Sequence, residues 1–557
     1  MPRRITTIPF PYLLAVACAS DPAGDSAMSD SAVTVSTTGG ASDSASSTAS
    51  TADGSGTLDD SASDPTTATS DDTTTGDAPD ECSPPPAEPP CEASGDGRCF
   101  YIDPVAGDDT GDGSAASPWR SFVNLNSSIY YGVYPPPAQW TALAPGDVVY
   151  VRDGTLTDVF HPGDDSGPEG GGSYVLYLRG VHGEGAPITI KRYPSERPIL
   201  APEGDALGVL VAQSSDIVIE GLEVREAHGR GIRIEEAERV DIGSVLVYDT
   251  DGVAADNVAG LEILGSGDVV VHDSVFADNY DRTAAAAGTQ TENSGNLVLF
   301  SNDGAVELRH CAFYQSEGPD SQSSGFGVKY KHASPSPAGT FEVHDCYFEG
   351  NVFGVGIGTA HAHVHHNVVV DSAVGISSID FGGPTHQWDQ WIEANTLITT
   401  VGIYVSPTLD WQGEGWADLT DNAIERNLVV DTSSDHSGER RTVLFNPYMS
   451  DALHDAYAVG VTLAANCYHA ESGAASFGFA EAENYGAAGG AFDLAGWRAT
   501  YGFDLDAVEA DPDLAGLVPS AQGPCQAMGA IVGGHMPAVD LADPLACGDA
   551  ASLRRWE

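Results

Sequence analysis

From about residue 205 to 430 the chain runs in short stretches of alternating apolar and polar positions, each led by a glycine. Gly231-Ile232-Arg233-Ile234, Gly260-Leu261-Glu262-Ile263, Gly325-Phe326-Gly327-Val328, Gly354-Val355-Gly356-Ile357 and Gly402-Ile403-Tyr404-Val405 are the clearest openings. A period of two residues predicts strands with one buried face. A second run follows each opening and ends on a small polar residue, and a third short run comes next. Val343-His344-Asp345-Cys346-Tyr347-Phe348, Val364-His365-His366-Asn367-Val368-Val369, Ile392-Glu393-Ala394-Asn395-Thr396-Leu397 and Ile424-Glu425-Arg426-Asn427-Leu428-Val429 show it best. The residue at the break reads Ser274, Cys311, Cys346, Asn367, Asn395 and Asn427, with Asn466 as its continuation. Asparagines stacked at a bend satisfy one another and the turn backbone, and Asn tolerates the left-handed conformation that a tight corner needs.

The repeat predicts an all-β fold, a right-handed parallel β-helix with three short strands per turn. Spacings along the break from Ser274 to Asn427 are 37, 35, 21, 28 and 32 residues. Such unevenness excludes a propeller. The 21-residue interval is a bare turn, and the longer intervals carry loops at 278–294, 315–324, 332–339, 380–389 and 408–421.

Outside the repeat the pattern changes. Arg3 and Arg4 precede a mostly apolar run that closes on Ala15-Val16-Ala17-Cys18, which reads as an export signal over 1–18. It resembles a bacterial lipobox with Cys18 as the lipidated residue; an ordinary signal peptide is the alternative. Residues 19–80 hold twelve Asp and no aromatic, Lys, Arg or Cys residue, and a Pro-rich stretch follows. Such a segment cannot bury enough apolar surface to offset chain entropy, so 19–98 is expected to be a disordered linker. The β-helix is expected over 99–535 and a C-terminal tail or cap over 536–557. The protein is then exported, lipid-anchored at the cell envelope or extracellular, and meets a membrane only through its anchor.

Net charge sharpens the exclusions. With 81 acidic and 23 basic residues the chain carries −58, which repels nucleic acid and anionic lipid. It also repels an acidic polysaccharide unless a local basic patch overrides the average. Eight cysteines besides Cys18 favour disulfides in an exported chain. Cys82, Cys91, Cys99, Cys525 and Cys547 lie at the ends, where they would staple the caps. Cys311 and Cys346 share a corner on successive turns, either as a bridge or as two stacked thiols.

Residues 101–122, beginning Tyr-Ile-Asp-Pro-Val-Ala-Gly-Asp-Asp-Thr-Gly-Asp-Gly and ending Ser-Pro-Trp-Arg-Ser-Phe, resemble the opening motif of exported pectin lyase-like β-helix proteins. That group includes relatives of alginate and chondroitin lyases. Pro145 to Val151, Pro187 to Lys191 and the closing segment Trp497 to Pro512 are similar to the same group, so the resemblance covers about residues 99–535. The Gly-His-Gly and Arg-Ile-Lys motifs of polygalacturonases and the Arg-x-Pro-x-x-Arg of pectate lyases are absent. The resemblance therefore implies the fold strongly and an activity weakly.

A polysaccharide lyase must neutralise a uronate carboxylate and remove the adjacent proton. In the group resembled, the glycan cleft follows the first strand of each turn. Two of the three lysines of the chain, Lys329 and Lys331, fall on one such strand. Alternation puts Phe326, Val328 and Tyr330 inward and Gly327, Lys329 and Lys331 outward. The expected alignment places Phe300 and Asn302 beside Lys329 and Lys331, and Gly356 and Gly358 beside Gly327 and Lys329. The result is a shallow floor for substrate, with Lys329 or Lys331 as base or neutralising cation and His332 third. Asp303 and Asp320 are candidate Ca²⁺ ligands. The plain alternative is that both lysines are exposed and solubilising.

A second constellation lies on the strand before the corner. His361, His363 and His365 alternate outward, and Glu342 and His344 occupy the same columns one turn earlier. The four nearest would make a square with edges of ~5 by ~7 Å, able to hold Zn²⁺ or Cu²⁺, but the patch lies away from the loop-walled groove, and the pattern favours a solvent-exposed polar ladder over a metal site. Two functions follow: a monomeric surface lyase acting on a uronate-containing polysaccharide, or a non-catalytic β-helix that binds glycan or serves as a rigid rod.

Overall fold

The computed structural model describes residues 89–530 apart from 128–136, 162–171, 253–257, 283–293, 317–324, 332–338, 380–386, 407–418, 434–441, 446–459, 480–490, 515–516, 518, 521 and 527. Each turn contributes one strand to each of three sheets, and each sheet holds 12 strands. Within one turn the chain passes through Phe326–Lys331 in the first sheet, Phe341–His344 in the second and Tyr347–Glu349 in the third. Neighbouring strands pair in parallel throughout, apart from the antiparallel Phe477–Phe479 with Ala491–Phe492 at the C-terminal end. The protein is a right-handed parallel β-helix, as its repeat predicts.

The interior is one continuous apolar column. Leu261, Leu297, Val328, Val355, Ile376 and Ile403 stack in register along the first sheet, each fully enclosed. Phe276, Phe313 and Phe348 stack from the third at centroid distances of 5.5 and 4.8 Å. Burial at about 25 cal/mol per Å² of apolar surface makes this column the main source of stability.

The leading glycines have a steric cause. A Cβ at Gly327 would lie 2.7 Å from Phe348 of the core, and one at Gly354 2.7 Å from Val369. The same holds at Gly231 against Val247 and Gly402 against Val429. The chain bends here as it enters the first sheet, so the glycine faces inward with the residue after it. The orientation expected for Phe326 and Gly327 is therefore reversed: Phe326 joins an outer cluster with Phe353, Val374 and Tyr404, and Gly327 faces the core. From Val328 onward the expected alternation holds, since Val328 and Tyr330 belong to the core.

The corner between second and third sheets is a ladder. The backbone N–H of Cys346 donates to Asn367 Oδ1 at 3.0 Å, Asn367 donates to Asn395, Asn395 to Asn427 and Asn427 to Asn466. Each asparagine amide also donates to a carbonyl of the turn before, as Asn367 does to Val343 at 2.8 Å. The left-handed residue at the corner is the one before the ladder residue, Cys346 or an asparagine: Asp345, His366, Ala394, Arg426 and Ala465 have φ of 52°, 55°, 51°, 55° and 54°. The asparagine serves by hydrogen bonding, and its neighbour takes the strained backbone. Cys311 and Cys346 stand in the ladder as buried free thiols.

Both ends of the column are closed by large aromatic residues that belong to the same core. Trp119 stacks on Phe100 at 5.2 Å and donates from Nε1 to the Gly111 carbonyl at 2.8 Å, while Cys91 bridges Cys99. At the other end a helix, Leu494–Tyr501, carries the enclosed Trp497 against Phe445, Phe477 and Phe503. Cys467 bridges Cys525. Cys18, Cys82 and Cys547 lie outside the described residues, and no helix among those described is long and apolar enough to cross a membrane.

Candidate functional site

The outer face of the first sheet carries charge, but not as an open floor. Lys329 and Lys331 leave the strand outward yet are only 2% and 5% exposed. Lys329 Nζ sits 4.4 Å from the Phe326 ring centroid, and that ring stacks on Phe353 at 4.6 Å. Such a contact stabilises a desolvated cation through the ring quadrupole. Register places Val298 beside Lys329 and Phe300 beside Lys331, with Gly356 across from Lys329. The expected alignment is therefore offset by two residues, which preserves the face and so escapes the alternation pattern.

Three expected members of the floor have other duties. Gly327 faces the core. Asn302 is buried at the corner leading to the second sheet, where Oδ1 accepts from Ser266 N at 2.9 Å and the amide donates to the Ile263 carbonyl. Gly358 lies so near its neighbours that a Cβ would sit 2.3 Å from the Tyr330 carbonyl. Phe300 is buried, and Gly356 lies at the edge of the Phe326 ring. Asp303 is exposed; His332 and Asp320 lie outside the described residues.

Arg230, Arg233 and Glu262 extend this face, although the alternation pattern alone does not mark them as a site. They are 6%, 3% and 2% exposed. Glu262 accepts from Arg230 at 3.3 Å and lies 3.3 Å from Arg233 Nε, which also reaches Glu235 at 3.3 Å. Burial pushes the Glu235 carboxyl above the usual range against the pull of Arg233. Arg233, Glu262, Val298, Lys329 and Gly356 share one column. The readable signal was the charge at the same offset after Gly231 and Gly260.

The outer face of the second sheet is built differently. Glu307, Glu342, His363 and Trp391 form one column, and Arg309, His344, His365 and Glu393 the next. His365 Nε2 lies 3.0 Å from Glu342 Oε1 and its Nδ1 2.7 Å from His366 Nδ1. His363 Nε2 is 3.3 Å from Glu393 Oε2, and Arg426 pairs with Glu393. The His344 and His365 rings stack at 5.0 Å, 2° from parallel. Burial holds both His363 and His365 below the ordinary histidine range, whereas the Asp345 hydrogen bond raises His344. Among the described residues, Glu342, His363 and His365 are the one group of three such side chains whose ligand atoms all lie within 4.8 Å of one another. Beside them Trp391 is 46% exposed.

A cleft of about 580 Å³ opens at the N-terminal end, lined by Arg120, Asp158, Phe160 and His161 among others. It lies beside the first strand of the first sheet, where Phe160 packs on Tyr177 at a centroid distance of 5.4 Å.

Comparison with known proteins agrees with the fold. The family model described as "Right handed beta helix region" matches residues 207–386. Among solved structures the chain is similar to pectate lyase Pel9A, at 16% identity and TM-score 0.36, over 66% of this chain and 77% of that one. XylC, solved in complex with xylose, gives 9% identity and TM-score 0.42 over 75% and 87%. A mannuronic acid specific family 6 polysaccharide lyase from human gut microbiota gives 11% and 0.37 over 74% and 91%. No curated protein matches the chain.

Proposed function

We propose that this protein is an exported, Cys18-anchored carbohydrate-active β-helix protein, acting on a uronate-containing polysaccharide at the outer face of the first sheet. One observation carries the reading: in a chain of net charge −58, two of the three lysines, Lys329 and Lys331, stand on that face with Arg230 and Arg233, whose charge Glu262 offsets only in part. A local basic strip is what an acidic glycan requires to approach so acidic a protein. From Arg233 to Lys329 the strip spans three strand spacings, about 14 Å, suited to several sugar units of an extended chain.

Elimination would then use the cations in two ways. Arg or Lys neutralises the uronate carboxylate, which acidifies the adjacent C–H. Lys329 or Lys331, in its neutral form, accepts that proton while a C=C bond forms, the bond to the leaving glycosidic oxygen breaks and that oxygen takes a proton from water. Ultraviolet absorbance of the unsaturated uronate reports the reaction. Alginate, pectate and glycosaminoglycans are each incubated with protein, with and without Ca²⁺. Absorbance is expected to rise on at least one and to be lost in Lys329→Ala or Lys331→Ala that keep the native melting profile. No rise on any substrate sinks the lyase reading.

The exposed Trp391 favours a second reading, non-catalytic glycan binding on the second sheet, because an aromatic face flanked by polar groups suits a sugar ring. Retarded migration in a polysaccharide gel, abolished by Trp391→Ala, with no absorbance change, would select it.

A further inference from the structure

We propose that Glu342, His363 and His365 form a binding site for one divalent transition-metal ion, with Zn²⁺ the expected occupant. The inference is independent of the lyase reading, since the site lies on the second sheet.

The case begins with the backbone. Glu342 and His363 are directly paired across adjacent parallel strands, and His344 pairs with His365. Both strands alternate core and surface positions, with Val343 and Val364 fully enclosed. The three side chains therefore leave a rigid floor on the same side. Two imidazoles and one carboxylate are a ligand set that suits Zn²⁺ and its first-row neighbours. Ligand atoms around a tetrahedral ion are separated by roughly 3.3–3.6 Å for bonds of about 2.0–2.2 Å. The Glu342 to His365 separation of 3.0 Å is already at that scale, and the full set spans no more than 4.8 Å. His363 and Glu342 side chains are each 39% exposed, so rotation about their outer bonds can close the remainder.

The surroundings support ligation. His365 Nε2–H donates to Glu342, so its Nδ1 accepts from His366. Moving the His365 proton from Nε2 to Nδ1 frees Nε2 for the metal and turns Nδ1 into the donor to His366. That arrangement, a ligand imidazole whose other nitrogen donates to a fixed partner, orients the ring and raises its basicity. Glu393, itself paired with Arg426, holds His363, and the parallel His344 ring limits the tilt of His365. Three protein ligands leave a coordination position open toward solvent, beside Trp391, whose ring centroid is 6.2 Å from that of His363.

The test is calorimetric titration of EDTA-treated, untagged full-length protein with Zn²⁺. A saturable event of unit stoichiometry is expected above the weak background of surface carboxylates. His363→Gln and His365→Gln should each weaken it at least ~10-fold, with circular dichroism unchanged, and His272→Gln, two turns away, should leave it intact. Co²⁺ in place of Zn²⁺ should give visible absorption that both ligand variants lose. Absence of a unit-stoichiometry event, or its survival in both variants, overturns the proposal.

Discussion

Asn367 is joined twice to Asn395: its backbone N–H and its side-chain amide both donate to Asn395 Oδ1, each at 3.0 Å. Both residues are fully enclosed. Asn395→Ala would leave two buried donors on the preceding turn without an acceptor and one carbonyl, Val364, without its amide. Unmet buried groups cost about 1–3 kcal/mol each, so a loss of about 3 kcal/mol or more is expected in chemical denaturation. Asn395→Asp should recover part of it, because the acceptor returns.

Glu262 is the shared counter-charge of Arg230 and Arg233 beneath the surface of the first sheet. Glu262→Gln removes the charge that Arg230 and Arg233 share, and Arg233 keeps Glu235 at 3.3 Å. Breaking a buried pair by removing one partner costs about 3–5 kcal/mol. Urea unfolding should show that loss, and replacement of Arg230, Arg233 and Glu262 together by apolar residues should cost less than the single change.

His272 bridges Asp241 Oδ1 at 2.9 Å and Asp273 Oδ2 at 2.7 Å, and these bonds, Asp241 first, raise its pKa to about 10. An unfolded histidine titrates near 6.5. The native state thus holds the proton more tightly, and the stabilisation is complete below pH ~6.5 and lost as pH climbs toward 10. The melting temperature of wild type minus that of His272→Gln should be largest near pH 6 and shrink steadily to pH 10. A difference that grows with pH would contradict the assignment.

The Cys467–Cys525 bridge closes a 58-residue separation, for which chain entropy gives about 4 kcal/mol. Cys467→Ser with Cys525→Ser should fray the C-terminal cap first, detected as faster amide exchange around Trp497. Cys311 and Cys346 are buried thiols, and burial raises Cys346 well above the ordinary thiol range. Peptide mapping should find both alkylated only after unfolding.

The alternation of apolar residues, the leading glycines and the Ser/Cys/Asn break carry enough information to specify the β-helix, because each is dictated locally: a strand by its period, a corner by its hydrogen-bonding residue. Pairing of Glu342 with His363 was legible for the same reason, since Cys346 and Asn367 anchor a bare 21-residue turn with no loop to blur the count. The first sheet was less legible. Taking Gly325 rather than Gly327 as the corner glycine shifts every partner of Lys329 by two, a change that keeps each residue on its face. Only the packed core selects between them, because Phe348 leaves room for no Cβ at 327. Likewise the sequence placed Lys329 and Lys331 on an outward strand, but their depth depends on residues distant in the chain. Phe326 beneath Lys329, and Glu262 between two arginines, are relations between turns, set by how the strands stack rather than by any one stretch of sequence.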